Sequence, residues 1–182
     1  MKESRAFPDR LTSRVLGVDP GMHETGWAVL DGAPASPRLV ASGVIRTLPG
    51  VPLPLRLKAI HSELGAVIAE HAPHECAIEE MFFTTVAVTV RATLQARGVA
   101  LLAFAQAGHA VHEYNPKTVK LALTGSGRAE KAQMQTVVQR ALGLADKLRP
   151  NDVADAAAIA LCHMRAGRMK GLKVLDSWGG AK

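Results

Sequence analysis

Cysteine, aromatic side chains and long apolar runs are all scarce in this chain. Its 182 residues hold two cysteines, four Phe, two Trp and one Tyr. Cys76 and Cys162 lie in apolar stretches and not at a ligand spacing, so cysteine points to neither a disulfide framework nor a zinc site. Cys162 and His163 are adjacent, and adjacent residues on a helix face different ways, so Cys162 reads as a buried thiol. Residues 1–13 are polar and charged and lack the apolar segment of a signal peptide. No run approaches the ~18 apolar residues of a membrane helix, and the expected location is cytoplasmic. Acidic residues are the minority charge, 16 against 22 basic ones, giving a formal net charge of +6. That balance favours a polyanionic partner, nucleic acid before membrane.

What is present is ample for a core. Hydrophobic residues make up 48% of the chain, and its length suits one domain. We expect a flexible tail over 1–13, a domain over 14–166 and a flexible basic tail over 167–182. The domain begins with the stretch Arg14-Val-Leu-Gly-Val-Asp19-Pro-Gly21, an apolar β-branched run that ends on a carboxylate and turns at Pro20-Gly21. A return strand over Trp27–Leu30, a turn over Asp31–Ser36 and a third strand over Arg38–Thr47 follow. Pro49–Pro54 reads as a loop, and Leu55–His71 as an amphipathic helix. Cys76–Ile78 is a short strand ending on Glu79 and Glu80. Helices are expected at Val86–Ala107, Pro116–Leu123, Arg128–Leu142 and from Pro150-Asn151 to Arg165, with a strand at Val111–Tyr114. Strands first, then helices alternating with strands, make an α/β fold: a mixed sheet of about five strands flanked by helices.

Four carboxylates stand out by position. Asp19 and Glu79 each end a strand. Asp152 and Asp155 stand three apart in what reads as the first turn of the last helix, on one face. Each has a plain structural reading, as a turn residue, a strand-end surface charge or a complement to the helix dipole. Together they form a set that repels itself unless cations sit in it. Mg²⁺ or Mn²⁺ takes carboxylate and water ligands. Two such ions about 4 Å apart can clamp the attacking and leaving oxygens of a phosphodiester.

The stretches Gly17-Val-Asp19-Pro-Gly21 with Thr25-Gly26, Ala77-Ile-Glu79-Glu-Met-Phe82, Gln95-Ala-Arg97-Gly98, Ala129-Glu-Lys131 and Asp152-Val-Ala-Asp155-Ala-Ala-Ala-Ile-Ala160 occur in order. In this the chain resembles the RuvC-type Holliday junction resolvases over about Val15–Arg165. The resemblance implies a ribonuclease-H-like fold and a homodimer that cuts a four-way DNA junction symmetrically, in recombination and repair. It implies two Mg²⁺ or Mn²⁺ ions on Asp19, Glu79, Asp152 and Asp155, with Lys131 also catalytic. It further implies that Phe82 stacks on an unpaired base, that Lys120 and Lys131 contact DNA, and that a branch-migration motor complex is a partner. The chain departs from the family pattern at Met22-His23 and over Thr84–Thr89. The Val86–Ala107 helix offers Val90, Leu94 and Leu101 as a dimer surface or as core. Two rivals carry different expectations. A non-catalytic junction-binding protein would not need the complete acidic set. An ATPase of the actin and sugar-kinase kind would use the Asp19 loop as a phosphate cradle, but no second copy of that loop is present.

Overall fold

The computed structural model describes residues 13–80 and 88–166. Its elements run β1 (Val15–Asp19), β2 (Glu24–Ala33), β3 (Ser36–Arg46), α1 (Leu53–His71), β4 (Glu75–Glu79), α2 (Val88–Gln106), β5 (Val111–Tyr114), α3 (Pro116–Thr124), α4 (Lys131–Ala141) and α5 (Asn151–Ala166). The five strands form one sheet in the order β3-β2-β1-β4-β5. The β1, β2 and β3 neighbours are antiparallel, while β4 runs parallel to both β1 and β5.

The alternation of side chains along a strand decides which face each residue serves. In β1, Leu16 and Val18 join a core with Val29, Ile45, Ile60, Leu64, Ile78 and Phe104, the layer under α1 and α2. Val15 joins the other core, which α3, α4 and α5 cover. Gly17 and Asp19 therefore face α5. In β4 the same rule sends Cys76 and Ile78 to the first layer and Glu75, Ala77 and Glu79 toward α5.

Helix α5 is buried along nearly its whole length, from Val153 to Met164. Small residues let it lie close to the sheet. A Cβ on Gly17 would fall 2.2 Å from the Ala156 carbonyl oxygen, and one on Gly26 would fall 2.1 Å from that of Asp152. Both approaches are backbone on backbone, so no side-chain rotation could relieve them. Gly26 is also the register partner of Asp19. The start of α5 is thereby set down beside the end of β1.

Several boundaries differ from expectation. The Asp31–Ser36 turn shrinks to Pro34-Ala35, because the β2–β3 ladder runs on to the Ala33–Ser36 pair. Helix α1 starts at Leu53, with Pro54 in its first turn, where a missing amide hydrogen costs nothing. Helix α4 starts at Lys131 and not at Arg128, with Glu130 as its cap residue. Asp155 belongs to the second turn of α5; only Asp152 is in the first. The expected tails, over 1–12 and from Gly167 on, lie outside the described residues, as do Phe82, Phe83 and Val86. Ser13 is described and is fixed: its amide donates to Gly32 and its hydroxyl to Glu75.

Candidate active site

Asp19 leaves β1 at a turn that the surrounding chain fastens. The Thr25 hydroxyl donates to the Gly21 carbonyl at 2.7 Å. Met22 is buried in the core, and its carbonyl accepts from the Thr47 hydroxyl and, at 3.0 Å, from Arg56 of α1. This gives the Met22 departure from the family pattern a place: the side chain plugs the core while its carbonyl anchors the turn. On β4, Glu79 is held through its backbone. The Arg97 Nε donates to the Glu79 carbonyl at 3.2 Å, and the Arg97 guanidinium is paired with Glu113.

The neighbouring β1 and β4 ends and the start of α5 bring the four acids together. Asp19 is pushed up from 3.8 to about 8. Burial is the largest cause, followed by the charges of Glu79 and Asp155, a hydrogen bond with Glu79 and the charge of Asp152. Glu79 is raised as well, first by burial and then by Asp155, against the opposing effects of the Asp19 hydrogen bond and Lys131. Asp152 is raised by burial and by Glu24. Lys131 opposes this repulsion, its Nζ lying 2.8 Å from Asp155 Oδ2. An all-oxygen, self-repelling, part-buried donor set suits a hard dication and suits a soft one poorly.

Lys120 and Lys131 line one cleft with Glu79 and Asp155, over a floor of Val119, Met134 and Ile159. Two cations and two carboxylates thus face a groove open to a ligand. Phe82, three residues beyond Glu79, lies outside the described residues. Sequence reasoning missed three contributors. Glu24 acts on Asp152 and pairs with Arg46 at 2.9 Å. Arg97 anchors Glu79; its motif was visible, its role was not. Arg56 anchors the Asp19 turn. Three arginines are paired within the chain: Arg14 with Asp31, Arg46 with Glu24 and Arg97 with Glu113.

The fold and the carboxylates define a ribonuclease-H-like nuclease: a mixed five-stranded sheet with helices on both faces and acids at the ends of its two central parallel strands. The sequence model described as crossover junction endodeoxyribonuclease RuvC matches residues 15–163. Proteins of that name from Salinispora arenicola and Chloroflexus aurantiacus are 48% and 47% identical over 85% and 82% of this chain, and over 89% and 92% of their own lengths. The Thermus thermophilus RuvC structure in complex with Holliday junction substrate superposes with a TM-score of 0.82 at 35% identity, covering 86% of this chain and 96% of that one. The chain belongs to the crossover junction endodeoxyribonuclease RuvC family. Among the described residues, no helix is long and apolar enough to cross a membrane.

Proposed function

We propose that this protein resolves four-way DNA junctions, cutting two strands symmetrically as a homodimer in the cytoplasm, with Asp19, Glu79, Asp152 and Asp155 holding two Mg²⁺ or Mn²⁺ ions. The observation that carries the reading is the convergence of those acids from β1, β4 and α5, with Asp19 held as high as about 8 until positive charge arrives. Family membership supports the chemistry, and the junction in the Thermus complex supports the substrate class. Bound ions would supply an activated water and neutralise the leaving oxygen.

The chain's own residues do the rest. Asp155 holds the Lys131 ammonium at the mouth of the cleft, where it can meet a phosphate oxygen. Lys120 adds a second cation on the α3 side. The Arg97 and Arg56 anchors fix the two strand ends, so the acids do not drift apart when charge enters. Phe82, just past Glu79, is assigned to stacking on an unpaired base, worth about 1–3 kcal/mol. A four-way junction has two-fold symmetry, so a two-fold dimer offers one site to each of two strands. For the dimer face we assign the exposed side of α2, where Leu94 and Leu102 are 39% and 51% exposed. Leu101, one of the sequence candidates, packs partly against the core under α1 and α2. A branch-migration motor is proposed as partner on family resemblance alone.

The test is cleavage of a synthetic four-way junction against a linear duplex of the same sequence, with Mg²⁺, with Mn²⁺ and with chelator. Paired cuts in the junction, lost on chelation and absent from the duplex, are expected. Equal cutting of both substrates, or cutting that survives chelation, overturns the reading.

A further inference from the structure

At the other end of the same strand, a second cluster has been assembled from different chemistry. Glu75 opens β4, His112 lies on β5 and His163 is near the end of α5. One ligand atom from each lies within 4.8 Å of the other two. His163 Nε2 is 2.5 Å from Glu75 Oε2, and His112 Nε2 is 3.6 Å from the same oxygen. The two imidazole rings lie 4.4 Å apart and tilted by 34°. Glu79 is four residues along the strand from Glu75, about 13 Å at the rise of a β-strand. His163 is eight residues along the helix from Asp155, about 12 Å. The two clusters are therefore separate.

We propose that Glu75, His112 and His163 form a second metal site, which takes one borderline divalent transition metal, zinc in the first place. The donor set is two imidazoles and a carboxylate, the mixture that Zn²⁺ accepts and Mg²⁺ does not favour. Zinc bonds of about 2.0–2.2 Å in a tetrahedron put neighbouring ligand atoms about 3.4 Å apart. The observed separations bracket that value, and an ion entering between them opens the His163–Glu75 contact and closes the widest gap. The supporting groups are in place too. The Tyr114 hydroxyl oxygen lies 2.7 Å from His163 Nδ1, so with the Nδ1–H donating to that oxygen, the Nε2 lone pair faces the ion. The Ser13 hydroxyl donates to Glu75 Oε1 at 3.3 Å, leaving Oε2 for the metal. Such outer partners set the orientation of metal-binding histidines and carboxylates. A water completes the fourth position. The ion would tie β4, β5 and α5 together at the end of the sheet remote from the cleft.

The full-length chain, stripped with chelator and exchanged into zinc-free buffer, is titrated with zinc chloride in excess Mg²⁺, which occupies the acids. One zinc per chain is expected, with the melting temperature raised by about 5–10 °C at saturation. His112→Phe keeps the ring and removes the ligand, and is expected to weaken zinc binding by about a hundredfold or more. Glu75→Gln checks the carboxylate should the first variant fold poorly. Cobalt(II) in the unaltered protein should show the visible bands of a four-coordinate nitrogen and oxygen site. Asp152→Asn, at the other end of the sheet, should leave zinc binding unchanged. Absence of bound zinc and of the cobalt bands overturns the proposal and leaves a hydrogen-bonded network only. So does binding that survives both His112→Phe and Glu75→Gln, or that is lost in Asp152→Asn.

Discussion

Strand β4 carries a carboxylate at each end, and the protein treats the two in opposite ways. Glu79 is placed among Asp19, Asp152 and Asp155, and its carboxyl is held above the usual range. Glu75 is placed among His163, His112 and Ser13, and its carboxyl is held below that range, the His163 hydrogen bond being the largest cause. Both face α5, and neither is a solvated surface charge. Burial alone therefore does not decide what a carboxylate becomes. The partners do: like charges store repulsion that an incoming cation can release, whereas nitrogens satisfy the acid in advance. The end with stored repulsion is where binding can drive chemistry, and the satisfied end is where the fold is tied.

The largest effect should come from neutralising the repelling end. Asp152→Asn or Asp155→Asn should lower junction cleavage by about a hundredfold or more, the scale on which loss of a charge-stabilising group is felt. Junction binding, read by gel shift, should change little, because phosphate contacts from Lys and Arg dominate affinity. Normal cutting by either variant would remove that acid from the working set. Next in size is the approach of α5. Gly26→Ala places a Cβ 2.1 Å from the Asp152 carbonyl oxygen, so α5 must retreat from β1 or the strand must bend. A loss of stability of about 1–3 kcal/mol is expected, as for overpacking elsewhere, with a fall in cleavage beyond what the unfolded fraction explains. Lowered melting with unaltered specific activity would mean the acids tolerate the shift.

Much of this contrast could be read from the chain, and the unread part has a common cause. Asp19 and Glu79 were visible because each follows an apolar run, and a residue that ends a core strand has its face fixed by alternation. Val111–Tyr114 was placed at its observed bounds, since Gly108 before it and Pro116 after it mark its limits. The long β2–β3 ladder was not visible. Asp31, Gly32, Pro34 and Ser36 all favour turns, and only pairing between the two strands overrides that preference. The proline at the head of α1 read as loop for the same reason: local preference is ambiguous in a first helical turn. The Glu75, His112 and His163 cluster was invisible from spacing. Its members stand 37 and 51 residues apart and meet only because β5 pairs with β4, and α5 covers both. Sequence shows what a residue follows; it does not show what lies across a sheet.

The smallest effects give the cleanest sign. In chelated protein, Asp19→Asn and Glu75→Gln should move stability in opposite directions. Asp19 is raised from 3.8 to about 8, so its contribution is fully present below 3.8 and is lost as pH rises toward 8. The loss is at most about 1.4 kcal/mol per pH unit for one proton. Asp19→Asn removes that slope and should leave the chelated protein more stable at pH 8 than the parent, by about 1–2 kcal/mol, as relief of an active-site cost commonly does. Saturating Mg²⁺ should erase the difference or reverse it, because the parent then gains the ion and the variant loses a ligand. Glu75 is lowered, so its contribution is present above 4.5 and is lost as pH falls through the folded value. Glu75→Gln should therefore cost about 1–3 kcal/mol at neutral pH, the cost of losing a buried charged hydrogen bond, and its curve should converge on the parent's in acid. The difference curves from thermal melts over pH 4–8 are the measurement. Two curves of the same sign would mean that the ends of β4 are not opposites, and that the acids around Asp19 are already satisfied without cations.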